Sequence, residues 1–138
     1  MATSGRMAVM RQRNALVRWL PAVVMMGLIF LFSAQPASRL PYFGAIDVLL
    51  KKGGHAIGYA LLGFSYYYAL PPRVSRFTRA GLALLMVFLF ALSDEFHQSF
   101  VGGRTSSMRD VAIDMAGASV ALAGVLLYSS NSSSNSSD

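Results

Sequence analysis

Residues 80–104 read AGLALLMVFLFALSDEFHQSFVGGR, and this stretch decides the fold. The run from Ala80 to Leu92 is wholly apolar and has the look of a membrane helix. Asp94, Glu95, His97 and Gln98 follow it at once, and Arg104 comes six residues later. Ionisable side chains at membrane depth cost roughly 2.5–3.5 kcal/mol each at a helix centre on insertion scales, and less near the interface. A chain poor in charge is not expected to carry such a cluster without partners for it elsewhere in the sequence.

The composition agrees with a membrane setting. Of 138 residues, 54% are hydrophobic and only 13% charged, and the mean hydropathy is +0.49. A soluble domain carries about 25% charged residues. The apolar residues fall in long blocks rather than short alternating runs, so an all-α integral membrane protein is expected. Without cysteine, disulfides and thiolate metal sites are excluded. The net charge of +6 does not point to nucleic acid, because the basic residues gather in short loops beside apolar runs, where topology signals lie.

Four spans are expected outward from this stretch. Residues 1–18 form a basic cytoplasmic tail holding Arg6, Arg11, Arg13 and Arg18 without an acid. The first span covers about 15–34, with Trp19 as an interfacial anchor and Pro21 in the first turn, where its missing N–H does little harm. A basic lead before an apolar run also resembles a signal peptide. No small-x-small cleavage site follows, however, and Pro36 sits just past Gln35, so a retained helix is expected. Residues 36–52 connect, with a short interfacial helix at 43–50. The second run, about 55–70, is short for a span, is stopped by Pro71 and Pro72, and ends in an interfacial belt of Tyr66, Tyr67 and Tyr68. The third span is 80–96. The fourth, about 108–128, places Gly117, Ala121 and Gly124 on one face, where small residues permit close helix approach. The membrane domain is thus 19–128. Residues 129–138, nearly all Ser and Asn, form a disordered tail.

With the N-terminus inside, seven arginines fall on the cytoplasmic side (the four of the tail with Arg73, Arg76 and Arg79) against Arg39, Lys51, Lys52, Arg104 and Arg109 outside. The bias places both termini in the cytoplasm. It also puts nearly every unusual polar residue on the outer side. Ser33 and Gln35 end the first helix, and Lys52, His55 and Tyr59 begin the second. Asp94, Glu95, His97 and Gln98 end the third, and Asp110 and Asp114 begin the fourth. Lys52, His55, Tyr59 and Leu62 lie on one helical stripe, as do Asp94 with Gln98 and Asp110 with Asp114. One composite extracytoplasmic site, fed by all four helices, is expected. Lys52 or Arg104 is expected to pair with Glu95, Asp94 or Asp110. The cytoplasmic side holds only plain arginines.

Lys52-x-x-His55-x-x-x-Tyr59-x-x-Leu62, Asp94-Glu95-x-His97-Gln98, Gly103-Arg104 followed by Asp110 and Gly117, and the Ser33-x-Gln35 helix ending together resemble the VanZ-like family of small bacterial membrane proteins, over roughly Trp19 to Tyr128. Two positions depart from the family pattern. Gly102 stands where Pro usually precedes Gly-Arg, and Asp114 stands where Asn is usual. The resemblance implies a multi-pass protein of the bacterial cytoplasmic (inner) membrane and a role in the cell envelope. The family's namesake is associated with resistance to teicoplanin, a lipid-tailed glycopeptide antibiotic that targets cell-wall precursors.

Three classes of function follow. In a binding protein, Lys52 and Arg104 would hold an anionic headgroup, Arg by a two-pronged contact. His55 and Glu95 would complete the contacts, and Asp94, Gln98, Tyr59, Asp110 and Asp114 would orient them. The ligand would be a lipid-linked wall precursor or the lipidated drug, its tail between helices. In an enzyme, Glu95 or Asp94 would act as general base with His55 or His97 as partner acid. The balance leans away from catalysis. In a purely structural protein the charges only neutralise one another and pin the helices. A metal site of His55, His97 and a carboxylate is disfavoured because no His-Glu-x-x-His or similar spacing is present, and no cofactor is expected. The Asp94-Glu95-x-His97 string is not a helicase motif, since no phosphate-binding Gly-x-x-x-x-Gly-Lys loop accompanies it. Partners beyond the lipid bilayer and the oligomeric state are not legible.

Overall fold

The structure, a computed structural model, describes residues 2–39, 44–104 and 106–134. Four helices follow one another: α1 (Ala2–Ser33), α2 (Asp47–Ala69), α3 (Arg76–Gln98) and α4 (Met108–Ser134). Single 3-10 turns lie at Ala37–Arg39 and Gly44–Ile46 between α1 and α2, and the described residues contain no strand. Three stretches, Ala15–Ser33, Arg76–Gln98 and Met108–Ser130, are long and apolar enough to cross a membrane. The helix α2 is 23 residues long, carries Asp47, Lys51 and Lys52 in its first two turns, and contacts each of the other three helices. A helix wrapped by its neighbours can carry polar side chains and glycines that a lipid-facing one cannot.

Many of the large apolar side chains point away from the bundle. Leu16, Leu20 and Phe32 of α1, Leu89 of α3 and Val120 and Leu127 of α4 are all exposed. In water such a surface would aggregate; against lipid it is the required solvent contact. The interior combines alanines and tyrosines with a few aliphatic side chains, Ile29, Leu62, Val87, Val111 and Leu122. Along α3, Ala80, Ala83, Val87 and Ala91 recur at spacings of three and four and are buried, and the same stripe runs on into Asp94 and Gln98. The face that packs by alanines therefore ends in the polar cluster, which fixes where that cluster points.

The tightest approach is between α2 and α4. A Cβ added at Gly117 would lie 2.2 Å from the carbonyl oxygen of Ala56, so no side chain fits there. Gly63 of α2 faces Ala118, with its hypothetical Cβ 3.1 Å from the Ala118 methyl. Gly124, expected on the same contact face, has no atom within 4 Å of its hypothetical Cβ and is exposed. The small-residue contact therefore sits at Gly117, not along the whole expected stripe.

Several boundaries differ from expectation. The helix α1 starts at Ala2, so the basic tail is continuous with it and Pro21 is interior rather than in the first turn. There Pro21 cannot supply an N–H to the Val17 carbonyl, four residues back. The segment from Asp47 joins α2 rather than forming a separate interfacial helix, while Phe43 lies outside the described residues. At the other terminus α4 runs past Tyr128 to Ser134, six residues into the segment expected to be disordered, and 135–138 lie outside the described residues. Of the three tyrosines expected as a belt, Tyr66 and Tyr67 are buried and only Tyr68 is half exposed. Tyr66 packs near Trp19, with ring centroids 6.2 Å apart.

The C-terminal end of α2 is closed by arginines that had been expected to be plain topology signals. The last carbonyls of a helix have no partner within it. Arg18 donates to the carbonyls of Tyr68 (2.8 Å) and Leu70. Arg79 donates to that of Tyr67 at 2.7 Å and lies 4.2 Å over the Tyr67 ring. Ser75 caps α3 at this same end, its hydroxyl oxygen accepting from the Thr78 N–H at 3.2 Å.

Candidate functional site

The opposite end of the bundle gathers the polar residues singled out in the sequence. At its centre is Asp94, 2% exposed. One carboxylate oxygen, Oδ2, accepts from Ser33 Oγ of α1 at 2.8 Å, from Gln98 Nε2 one turn along α3 at 3.0 Å, and from Tyr59 OH of α2 at 3.3 Å. Three helices thus share one acceptor. An intramolecular hydrogen bond contributes about 0.5–1.5 kcal/mol net, and Asp94 gathers three of them at one oxygen. The family resemblance included Ser33 and Tyr59, but sequence spacing alone did not show that both reach Asp94.

Arg104 closes the end of α1. It donates from Nη2 to the Phe32 carbonyl at 2.9 Å, from Nε to the Gln35 carbonyl at 3.2 Å, and from Nη1 to Gln98 Oε1 at 3.4 Å. Pairing with Glu95, Asp94 or Asp110 had been expected; among the described residues these neutral acceptors hold the guanidinium instead. The reason is geometric. The end of α1 presents unpaired carbonyls in a row, and a planar fork of N–H groups matches that row as well as it matches a carboxylate. Gly103, at φ +75°, makes the turn that aims Arg104, a conformation that L side chains rarely adopt. Gly102 has no such φ and nothing near its hypothetical Cβ, so the backbone does not require glycine where the family usually has proline.

Three contacts tie α4 to its neighbours. Lys52 Nζ pairs with Asp110 Oδ1 at 2.8 Å, one of the pairs expected. Nδ1 of His55 lies 3.6 Å from Asp114 Oδ1, just beyond hydrogen-bonding distance, with Asp114 1% exposed. The acid that replaces the usual asparagine therefore faces an imidazole. Glu95 turns to the start of α4. Its Oε2 accepts from the Ser107 N–H at 2.7 Å, while Ser107 Oγ accepts from the Arg109 N–H at 3.1 Å. This is a capping box completed by a different helix: Ser107 caps α4, and a glutamate of α3 holds the cap's own N–H. Glu95 was expected among the ligand contacts; the structure places it in this cap, with Oε1 buried and without a hydrogen-bond partner among the described residues. Asp94 Oδ1 and both Asp114 oxygens share that condition.

His97 lies apart. Its ring stacks on Phe30 of α1, with centroids 4.4 Å apart, and its Nε2 is buried without a hydrogen-bond partner among the described residues. Residues two apart on a helix lie about 200° apart around its axis, so Glu95 and His97 leave nearly opposite sides of α3. They cannot serve one reacting centre as a base–acid pair. Among the described residues no three His, Cys, Asp or Glu side chains come together as a metal-binding group.

Beside this cluster a groove of about 390 Å³ opens between α1 and α2. Met25, Leu28, Ile29 and Phe32 line it from α1 at helical spacing, and Leu50, Gly54, Ile57 and Gly58 line it from α2. Its polar margin is made by Lys51, His55, Tyr59 and Arg104. His55 and Tyr59 stack with centroids 6.3 Å apart, so the groove's polar margin is also the edge of the Asp94 and Asp114 contacts. Lys51 had been read only as a loop charge. Its position four residues before His55, on the same face of α2, was the signal available for it.

No curated protein and no solved structure matches the chain. A family model described as VanZ/LLP1 matches residues 18–130. That span contains Arg18 at one end of the bundle and every polar contact of the other, from Ser33 to Asp114. The chain belongs to the VanZ/LLP1 family.

Proposed function

We propose that this chain is a four-span protein of the bacterial cytoplasmic membrane, with α2 as the fourth span and both termini in the cytoplasm. Its polar end faces outward in the cell envelope and binds a lipid-linked or lipidated ligand, with glycopeptide (teicoplanin) resistance as the resulting activity. The observation that carries this reading is the convergence of Ser33, Tyr59, Asp94, Gln98 and Arg104, from all but one of the helices and the α3–α4 loop, beside a groove whose far wall is apolar. A purely structural cluster has no need of an adjoining opening. The arginine-rich loop and tail lie at the other end, as the positive-inside rule asks of a cytoplasmic face. In this reading residues 19–128 form the membrane unit.

The test is teicoplanin susceptibility of bacteria carrying the wild-type chain, Arg104→Gln, or no copy, with the two proteins at equal membrane level. Protection by the wild type, reduced in the variant, is expected. Equal susceptibility of all three strains overturns the glycopeptide part of the reading.

One observation favours a membrane enzyme as a second reading. His55 borders the groove with Nδ1 toward the buried Asp114 carboxylate, an arrangement that can orient an imidazole as a general base. An enzyme predicts a chemically altered precursor or drug by mass spectrometry; a binder predicts none.

A further inference from the structure

We propose that the groove between α1 and α2 binds an uncharged single-chain lipid by its hydroxyl, with the hydrocarbon along the groove and the hydroxyl on Nε2 of His55. This rests on the reading of the polar end as a lipid-ligand site, and it names the head group and the atom that recognises it.

Most polar groups at the groove's margin are already committed. Lys51 has a partner of its own. The Arg104 guanidinium is held by the Phe32 and Gln35 carbonyls and by Gln98 Oε1, and Tyr59 OH donates to Asp94. His55 is the exception. Its Nδ1 is turned to Asp114 Oδ1 at 3.6 Å, its side chain is 27% exposed, and its Nε2 has no partner among the described residues. The margin therefore offers an incoming head group one hydrogen-bonding atom and no free cation. A phosphate brings a charge and several acceptor oxygens, and needs several open donors to replace its hydration. A wholly apolar head covers Nε2 and leaves it unpaired. A hydroxyl carries one donor hydrogen and acceptor lone pairs, so it satisfies Nε2 whether that atom holds a proton or a lone pair.

The rest of the groove suits one hydrocarbon chain. Its α1 wall, from Met25 to Phe32, runs about 10 Å along the helix. On the α2 side a Cβ added at Gly54 would meet nothing within 4 Å, so the path beside His55 is open. The volume of about 390 Å³ lies toward the lower end of sites that hold one small ligand, about 300–1,000 Å³, which favours one chain over two. Leu28, Phe32, Leu50 and Ile57 line the groove and are exposed, so it opens sideways to the surrounding lipid. A chain enters from the bilayer with its hydroxyl at the polar end of the bundle, and its far end stays among the lipid tails.

The experiment uses the purified full chain in phosphatidylcholine nanodiscs. Hexadecanol, heptadecane (a methyl group in place of the hydroxyl) and hexadecyl phosphate are added separately. Probe retained by the protein is counted by native mass spectrometry and normalised to the amount in the surrounding lipid. Hexadecanol is expected to exceed heptadecane by about two- to tenfold, the range of one hydrogen bond, and hexadecyl phosphate is expected to bind no better than hexadecanol. His55→Phe, made together with Asp114→Asn so that no buried carboxylate faces the new ring, is expected to abolish the preference for hexadecanol and to keep heptadecane binding. Gly54→Leu, whose side chain enters open space in the groove, is expected to weaken both uncharged probes. A preference that survives the His55 variant overturns recognition by Nε2, tighter binding of hexadecyl phosphate overturns the uncharged head, and an unaffected Gly54→Leu overturns the groove. If the variants do not fold, the wild type still decides: heptadecane retained as well as hexadecanol overturns the proposal. No antibiotic enters this assay. A chain that selects hexadecanol but gives no teicoplanin protection keeps this inference and loses the glycopeptide reading; the reverse outcome loses this inference alone.

Discussion

Gly117→Ala adds one methyl group at the closest approach of α2 and α4. That carbon would lie 2.2 Å from the Ala56 carbonyl oxygen, 2.9 Å from its carbonyl carbon and 3.0 Å from its Cα. All three are backbone atoms of a helix and cannot rotate away. Restoring a contact of 3.4 Å, the start of the ordinary range, requires the two helices to part by about 1.2 Å at this point. The same two helices hold the Lys52–Asp110 pair at 2.8 Å and the His55–Asp114 contact at 3.6 Å, so both stretch as the helices separate. Overpacking a close-packed site typically costs about 1–3 kcal/mol, occasionally more. An immovable obstruction places this case at the upper end. Replacing glycine by alanine in a helix returns about 0.5–1 kcal/mol, which leaves a net loss of about 2 kcal/mol and a fall in melting temperature of about 5–10 °C. Thermal unfolding of the detergent-solubilised chain measures it. Gly63→Ala, with 3.1 Å to the Ala118 methyl, is expected to fall between Gly117→Ala and the wild type. Gly124→Ala, with open space around it, is expected to melt at or slightly above the wild type. A Gly117→Ala protein as stable as the wild type would refute the close-approach argument.

Asp94→Ala removes the shared acceptor of Ser33, Tyr59 and Gln98 and leaves three buried donors, so a loss of about 3 kcal/mol is expected in the same thermal assay; Asp94→Asn, which keeps one carbonyl oxygen, is expected to lose less. The Lys52–Asp110 pair is solvent-accessible, at 43% and 28%, so a double-mutant cycle with Lys52→Ala and Asp110→Ala is expected to give a coupling of about 1 kcal/mol or less that shrinks with added salt. Ser107→Ala loses the hydroxyl that caps α4 and is expected to cost about 1 kcal/mol, read as faster hydrogen exchange in the first turn of α4.

Much of this end of the molecule was legible in the sequence because helix ends are. Ser33, Asp94, Gln98, Tyr59 and Asp110 sit at the ends of apolar runs whose alternating direction brings them together, and one of the expected ion pairs, Lys52 with Asp110, is present. What was not legible depended on the angle at which helices meet. Arg104 turned to carbonyls because the end of α1 lies within its reach, a fact no spacing encodes. Arg18 and Arg79 were hidden by the same ambiguity: an arginine beside a membrane helix reads as a topology signal, whether or not it also closes a neighbour's last turn. Glu95 and His97 looked like members of one site by proximity in the chain, although their opposed directions around α3 were available from helix geometry. Gly117 was recognised as a contact residue, but its partner on α2 was not, and Gly124 was taken along by periodicity alone.

The central claim, that the polar end with its groove faces out of the cytoplasm, is tested most directly by thiol labelling. The chain has no cysteine, so single substitutions report without background. Gly102→Cys lies in the exposed α3–α4 loop at the polar end and Pro72→Cys in the exposed α2–α3 loop at the arginine-closed end. With a membrane-impermeant maleimide, Gly102→Cys is expected to label in intact cells and Pro72→Cys only after the membrane is opened. Labelling of Pro72→Cys in intact cells, with Gly102→Cys protected, would contradict the account.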